Sequence, residues 1–258
     1  PIVELDLSVD RPVAMIAARL CDVAPDDKAT RVTYGLLNLT HRNGSESPEP
    51  LEPGKRYRVR LQMNGIAHSF PAGHRIRLSL STSYWPLAWP PPRPVRLKVY
   101  TEGCCLILPE RKPRELDQEL REFGPPEAAR PPEKTVIEPS SHNWEVHRDL
   151  ATDTSTLVVT DSRGTFRLED IDLLVSSHAV EKYSSVADDF DSPRAEVVWE
   201  RRLERGEWKI RTVTRTVLVS TPDDFVLHAN MDVFECGRTG EKRVYSRDWD
   251  ETIPRDRV

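Results

Sequence analysis

The chain has 258 residues, 38% of them hydrophobic and 31% charged, a composition that supports a folded core and argues against disorder. Its 37 Lys and Arg stand against 42 Asp and Glu, a net charge of −5, so the basic surplus expected of a nucleic-acid-binding surface is absent. No stretch approaches the ~20 consecutive apolar residues of a membrane helix, and Pro1–Leu5 shows neither the basic start nor the apolar run of a secretion signal.

In chain order, the first half is dominated by period-two alternation. Val3, Leu5, Leu7 and Val9 alternate with Glu4, Asp6 and Ser8. Tyr57 to Met63, Ile76 to Leu80 and Val95 to Val99 repeat the pattern, so each reads as a strand with one face in a core and one in water. Pro25-Asp26-Asp27, Asn43-Gly44, Pro53-Gly54 and Ala72-Gly73 supply turns between them. Prolines then crowd the stretch from Pro109 to Pro139, where Leu116, Leu120 and Phe123 predict one short helical face stopped at Gly124-Pro125. Alternation returns at Leu157 and Val159, continues through Ala195–Trp199 and Trp208–Ile210, and is cleanest from Phe225 to Val233. Arg205-Gly206 and Gly237–Gly240 read as hairpin turns. The expected organisation is all-β: a sandwich over residues 1–110, a proline-rich linker with a short helix over 111–139, and a second antiparallel β domain over 140–258. The chain opens on Pro1, almost inside a strand, which predicts that it is part of something longer.

Several chemistries have no foothold. None of the 11 glycines stand four apart, so a Gly-x-Ser-x-Gly nucleophile elbow is missing, and no glycine-rich phosphate loop is present. The histidines at 41, 68, 74, 142, 147, 178 and 228 are scattered, and His142 with His147 lacks a nearby third ligand, so no metal or other cofactor is expected. Asp188–Asp191 and Asp248–Glu251 read as solvated carboxylates, and the arginines from Arg201 to Arg215 as the wet face of amphipathic strands. Cys21, Cys104, Cys105 and Cys236 form no Cys-x-x-Cys pair and read as free thiols of a reducing, cytoplasmic setting.

One segment concentrates recognition chemistry: Ser83-Tyr84-Trp85-Pro86-Leu87-Ala88-Trp89-Pro90-Pro91-Pro92-Arg93-Pro94. Prolines fix its shape in advance, and aromatic surface at a strand end is costly to leave in water. Tyr84, Trp85 and Trp89 are therefore the candidate pocket-wall or domain-interface residues; the competing reading makes them a cover over the end of the sandwich.

The motifs in their order resemble a family. Ala18-Arg19-Leu20-Cys21-Asp22-Val23-Ala24-Pro25-Asp26, Gly35-Leu36-Leu37-Asn38, Pro50-Leu51-Glu52-Pro53-Gly54, and His68-Ser69-Phe70-Pro71-Ala72-Gly73-His74-Arg75-Ile76-Arg77-Leu78 are similar to stretches of the CocE/NonD hydrolases, the acyl-esterase and X-Pro dipeptidyl-peptidase family. Tyr84-Trp85-Pro86 stands where that family often has Asn-Phe-Pro. The resemblance implies a galactose-binding-like jelly-roll that packs on an upstream α/β-hydrolase domain holding the whole Ser-His-Asp triad, with no catalytic residue in this chain. The close likeness covers about residues 1–110; residues 140–258, ending in Arg247-Asp248-Trp249-Asp250-Glu251, resemble an extension found in part of the family. The expected role is non-catalytic: shaping the substrate pocket of a serine esterase or dipeptidyl-peptidase, and stabilising the parent enzyme or a homo-oligomer of it. The rival expectation is a free-standing carbohydrate-binding module in which Trp85 and Trp89 stack on sugar rings. No nucleic acid or membrane partner is expected.

Overall fold

A computed structural model describes every residue of the chain except Thr239 and Val258. Among the described residues there is no α-helix, only strands and single 3-10 turns, and no helix long and apolar enough to cross a membrane. The chain forms two compact units, one made of Pro1–Leu120 with Arg255–Val258 and the other of Arg121–Pro254.

The first unit contains strands β1 (Ile2–Val9), β2 (Met15–Val23), β3 (Ala29–Asn38), β4 (Tyr57–Gln62), β5 (Arg75–Ser81), β6 (Leu97–Val99) and β7 (Cys105–Ile107). They make two antiparallel sheets: β1 is flanked by β4 on one side and by β6 and β7 on the other, while β2 lies between β3 and β5. Val3, Leu5 and Leu7 of the first sheet meet Ile16, Ala18 and Leu20 of the second in one core, with Leu39, Val59 and Leu61. This is the sandwich that alternation along β1 and β4 predicts, since only one face of each strand can be apolar when the other is wet. Gly35 permits close approach of the sheets: a Cβ there would lie 2.5 Å from Leu61 Cδ2 and 2.9 Å from the Gln62 carbonyl. The start of strand β2 shows no period-two alternation because Met15, Ile16, Ala17 and Ala18 are buried in succession.

The second unit is one antiparallel sheet. Its strands are β8 (Lys134–Glu138), β9 (Ser141–Asp149), β10 (Thr154–Leu168), β11 (Leu173–Val186), β12 (Arg194–Arg205), β13 (Trp208–Ser220), β14 (Asp224–Gly237) and β15 (Gly240–Pro254). From β10 to β15 each strand pairs with the next, and β10 receives β9 along its first half and β8 along its second. Gly206 (φ +57°) turns the β12–β13 hairpin at the expected place. Gly237 pairs with Gly240 at the β14–β15 turn, and Thr239 within that turn lies outside the described residues. Gly164 (φ +71°) sits at the bulge where β10 changes partner, and a Cβ there would overlap the Glu138 carbonyl oxygen.

Two expectations change. The predicted helical face near Leu116 is a single 3-10 turn, Glu115–Gln118, and Leu116, Leu120 and Phe123 are exposed: with no apolar surface to meet, an amphipathic stripe has nothing to drive it into a longer helix. The segment read as linker contains strand β8, paired with β10, and residues Arg255–Arg257 sit in the first unit. The arginines of β12 and β13 stand mostly on an exposed face and pair there with glutamates. Arg194 and Arg215 both reach Glu196, while Arg211, its side chain only 17% exposed, reaches Glu200 and Glu241.

Candidate functional site and family

The aromatic loop leaves β5 at Ser81 and returns to the first sheet at Leu97. Ser81 Oγ donates to the Ser83 carbonyl at 2.8 Å, and the Ala88 amide donates to the Tyr84 carbonyl at 3.0 Å, so the loop closes a turn on itself. Tyr84 is gripped on both sides. Arg31 Nη1 donates to its hydroxyl, the Arg19 guanidinium lies 5.1 Å from its ring centre, and Tyr34 meets it edge-to-face at 5.7 Å. Arg19 Nη2 also reaches Ser81 Oγ at 3.3 Å, while its Nε is buried with no hydrogen-bond partner among the described residues. Tyr84 is thus part of a cation–aromatic stack that fixes the base of the loop.

Trp85 and Trp89 pack edge-to-face, ring centres 4.8 Å apart and planes 83° from parallel, and both are half-buried. Trp89 and Pro91 form one wall of a concavity of about 290 Å³ whose other walls are Val13 just before β2, Met15 at its start, and Leu36 and Asn38 of β3. The lining is almost wholly apolar, with Asn38 the polar exception among the residues named. Its amide group is occupied: Asn38 Nδ2 donates to the Arg257 carbonyl at 2.8 Å, and Thr40 Oγ1 donates to the same oxygen at 3.1 Å. Arg255, 2% exposed, donates from Nη2 to the Pro90 carbonyl. Residues 255–257 therefore clasp the loop and the end of β3 together within the first unit. A concavity of this kind accepts an apolar group and holds it by burial. Tyr84, Trp85 and Trp89 lie in one loop, with Tyr84 at its base and Trp89 on the concavity.

A second cluster was invisible as a motif. Asp22, at the end of β2, is 8% exposed and accepts from His68 Nε2 at 3.1 Å and His74 Nδ1 at 2.7 Å. A carboxylate only accepts, so both ring nitrogens carry their proton toward it. Burial pushes the Asp22 carboxyl upward, and the hydrogen bonds from His74 and His68 outweigh it, leaving the pKa below the ordinary 3.8. The signal available beforehand was the Ala72-Gly73 turn: β5 pairs with β2 so that Asp22 faces Ile76, which brings the turn and its flanking histidines over Asp22. The cluster pins the loop before β5. Among the described residues no three His, Cys, Asp or Glu side chains are arranged to hold a metal ion.

Comparison with known sequences bears on this first unit. Residues 1–119 match the X-Pro dipeptidyl-peptidase C-terminal non-catalytic domain. The match falls within the first unit and stops short of the second. The same chain is 33% identical over 69 residues to the cocaine esterase of Rhodococcus sp. (strain MB1 Bresler), a match covering 27% of this chain and 12% of the esterase. The residues similar to that domain include the first sandwich, the aromatic loop with its concavity, and the Asp22 cluster, all of which fall within residues 1–119. The clasp by residues 255–257 comes from beyond the matched domain.

Proposed function

We propose that the chain is the non-catalytic C-terminal part of a serine hydrolase, an acyl esterase or X-Pro dipeptidyl-peptidase whose triad lies in an α/β-hydrolase domain earlier in the same protein. The aromatic loop walls the substrate pocket of that domain, with Trp89 and the apolar concavity beside it facing the acyl or aminoacyl group. The observation that carries this reading is the concavity: an apolar hollow built by a proline-stiffened loop, held from below by the Tyr84 stack and clasped by Arg255, within a domain of a hydrolase family. A loop stiffened by prolines and braced at both these points keeps its shape when a ligand arrives, which is what a specificity wall requires. A free-standing sugar-binding module draws less support, because Trp85 and Trp89 turn edge to face and share no common stacking plane. A reducing cytoplasm is the setting we assign, supported by four cysteines that are all free thiols; recovery of fewer than four thiols after unfolding without reductant would overturn it.

The test uses the protein that carries this chain behind its catalytic domain. Trp89→Ala is expected to lower kcat/KM for p-nitrophenyl acyl esters or X-Pro amides by about 10-fold or more and to change acyl preference, in line with the contact energy of one pocket side chain. The 258-residue chain alone is expected to show no turnover above buffer. Turnover by the isolated chain, or an unchanged kcat/KM and preference in the variant, defeats the proposal.

A further inference from the structure

The eight-stranded sheet of the second unit has two free edges, and they differ in kind. Strand β15 carries seven charged residues among its fifteen and is bounded by Gly240 and Pro254, a composition that discourages another strand from adding to it. Strand β9 is the opposite edge beside the first half of β10. Its nine residues are all exposed, no backbone partner other than β10 is present among the described residues, and it contains neither proline nor glycine.

The apolar face of the sheet runs off this edge uncovered. Val146 is opposite Leu157, which is opposite Tyr183, then Ala195, Leu218 and Leu227, one row across six strands. Beside it, Trp144 is opposite Val159. The inner members are sheltered, Val159 to 6% exposure, whereas Val146 is 74% and Trp144 63% exposed. A row that is half-buried along the sheet and bare at one end lacks a neighbouring strand.

We propose that this neighbour is β9 of a second copy of the chain, paired antiparallel with Val146 on the two-fold axis. The sequence Ser141-His142-Asn143-Trp144-Glu145-Val146-His147-Arg148-Asp149 complements itself in this register. Val146 faces its own copy and continues the apolar row into the partner sheet. Trp144 faces Arg148, whose guanidinium is already held on that face by Asp153 and Ser155 and so stands ready against an indole. On the other face Glu145 is opposite His147, and Asn143 opposite Asp149. Sliding by two residues spoils the match: one direction sets Glu145 against Glu145, the other sets Glu145 against Asp149. Edge pairing of this length makes a small interface, so the dimer is a weak one that forms and dissociates with concentration.

The test is sedimentation equilibrium of the 258-residue chain over a concentration series, with Val146→Lys and Val146→Cys. The wild type is expected to dimerise, and Val146→Lys, which sets two ammonium groups face to face, to raise the dissociation constant more than tenfold. Because residue 146 is exposed, neither variant threatens the fold, and matched circular dichroism melts check this. Facing residues of antiparallel strands have Cα atoms roughly 4.5–5.5 Å apart, within disulfide reach. Val146→Cys is therefore expected to give a covalent dimer on mild oxidation, and the wild type, with its own four thiols, is not. A chain that stays monomeric at all concentrations overturns the proposal and leaves β9 to some other partner. A dimer that ignores Val146→Lys and fails to cross-link through residue 146 overturns it too.

Discussion

Asp22 shows how a single buried carboxylate can hold a loop. Its pKa lies below the ordinary 3.8 because His68 and His74 both donate to the charged form. A carboxyl depressed in the folded state adds stability that is fully present above its unfolded value and is lost as pH falls through the lower folded value. The first unit is therefore expected to lose part of its acid stability below about pH 3.8 through this group. Asp22→Asn removes that part: the variant is expected to be less stable near neutrality and to show a flatter loss between pH 4 and pH 2 than the wild type, as read by denaturant unfolding at each pH. Parallel curves for the two proteins would show that the cluster contributes nothing to the acid transition. Among the other residues, Arg255 stands apart as a guanidinium buried to 2% exposure, since a charge so enclosed is tolerated only where its donors are met, as the Pro90 carbonyl meets one of them.

At the scale of elements, the bend of β10 rests on Gly164. The strand changes partner from β9 to β8 around this bulge, and the glycine combines φ +71° with backbone of Glu138 and Pro139 where a side chain would stand. Gly164→Ala is expected to destabilise the second unit by about 2–3 kcal/mol, from left-handed strain and the displaced carbonyl together. The readout is a lowered denaturant midpoint with an unchanged slope, and a midpoint equal to that of the wild type would show that the bulge adapts freely. What was legible beforehand follows the same physics. Strands β1, β4, β5 and β14 were readable because one face is apolar and the other polar. The start of β2 was not, because four consecutive residues are buried. The spacing of Leu116, Leu120 and Phe123 predicts a helix where a 3-10 turn stands, because spacing alone cannot say whether a partner surface exists. The aromatic loop stood out through its prolines and tryptophans. Its concavity did not, since Val13, Leu36 and Trp89 are brought together only by the sandwich. Asp22 and His74 are 52 residues apart, and nothing local links them.

At the scale of the whole chain, the second unit is an insertion: the first unit is interrupted after Leu120 and resumes at Arg255. Residues 119–133 are exposed and unpaired in any sheet, so we expect light proteolysis to cut first between Pro109 and Glu133. The cut is expected to leave the two fragments associated under native conditions, because residues 255–257 of the later fragment remain bound to Asn38, Thr40 and Pro90 of the earlier one. They should co-migrate on a native gel and separate in detergent. A first cut inside β4 or β14 would contradict this division of the chain, and fragments that part at once would show that the clasp is too weak to matter.

The clasp also imposes an order on the making of the protein. Every strand of the first sandwich is present once Ile107 has been synthesised, yet the residues that tie Pro90 and Asn38 together are more than a hundred positions further on. At ribosomal speed that interval is on the order of ten seconds. During it the sandwich can assemble, with its aromatic loop held by the Tyr84 stack and by Arg11 at Pro94 but not yet by Arg255 at Pro90. The wall of the concavity receives its last tie only after the whole of the inserted sheet has been made.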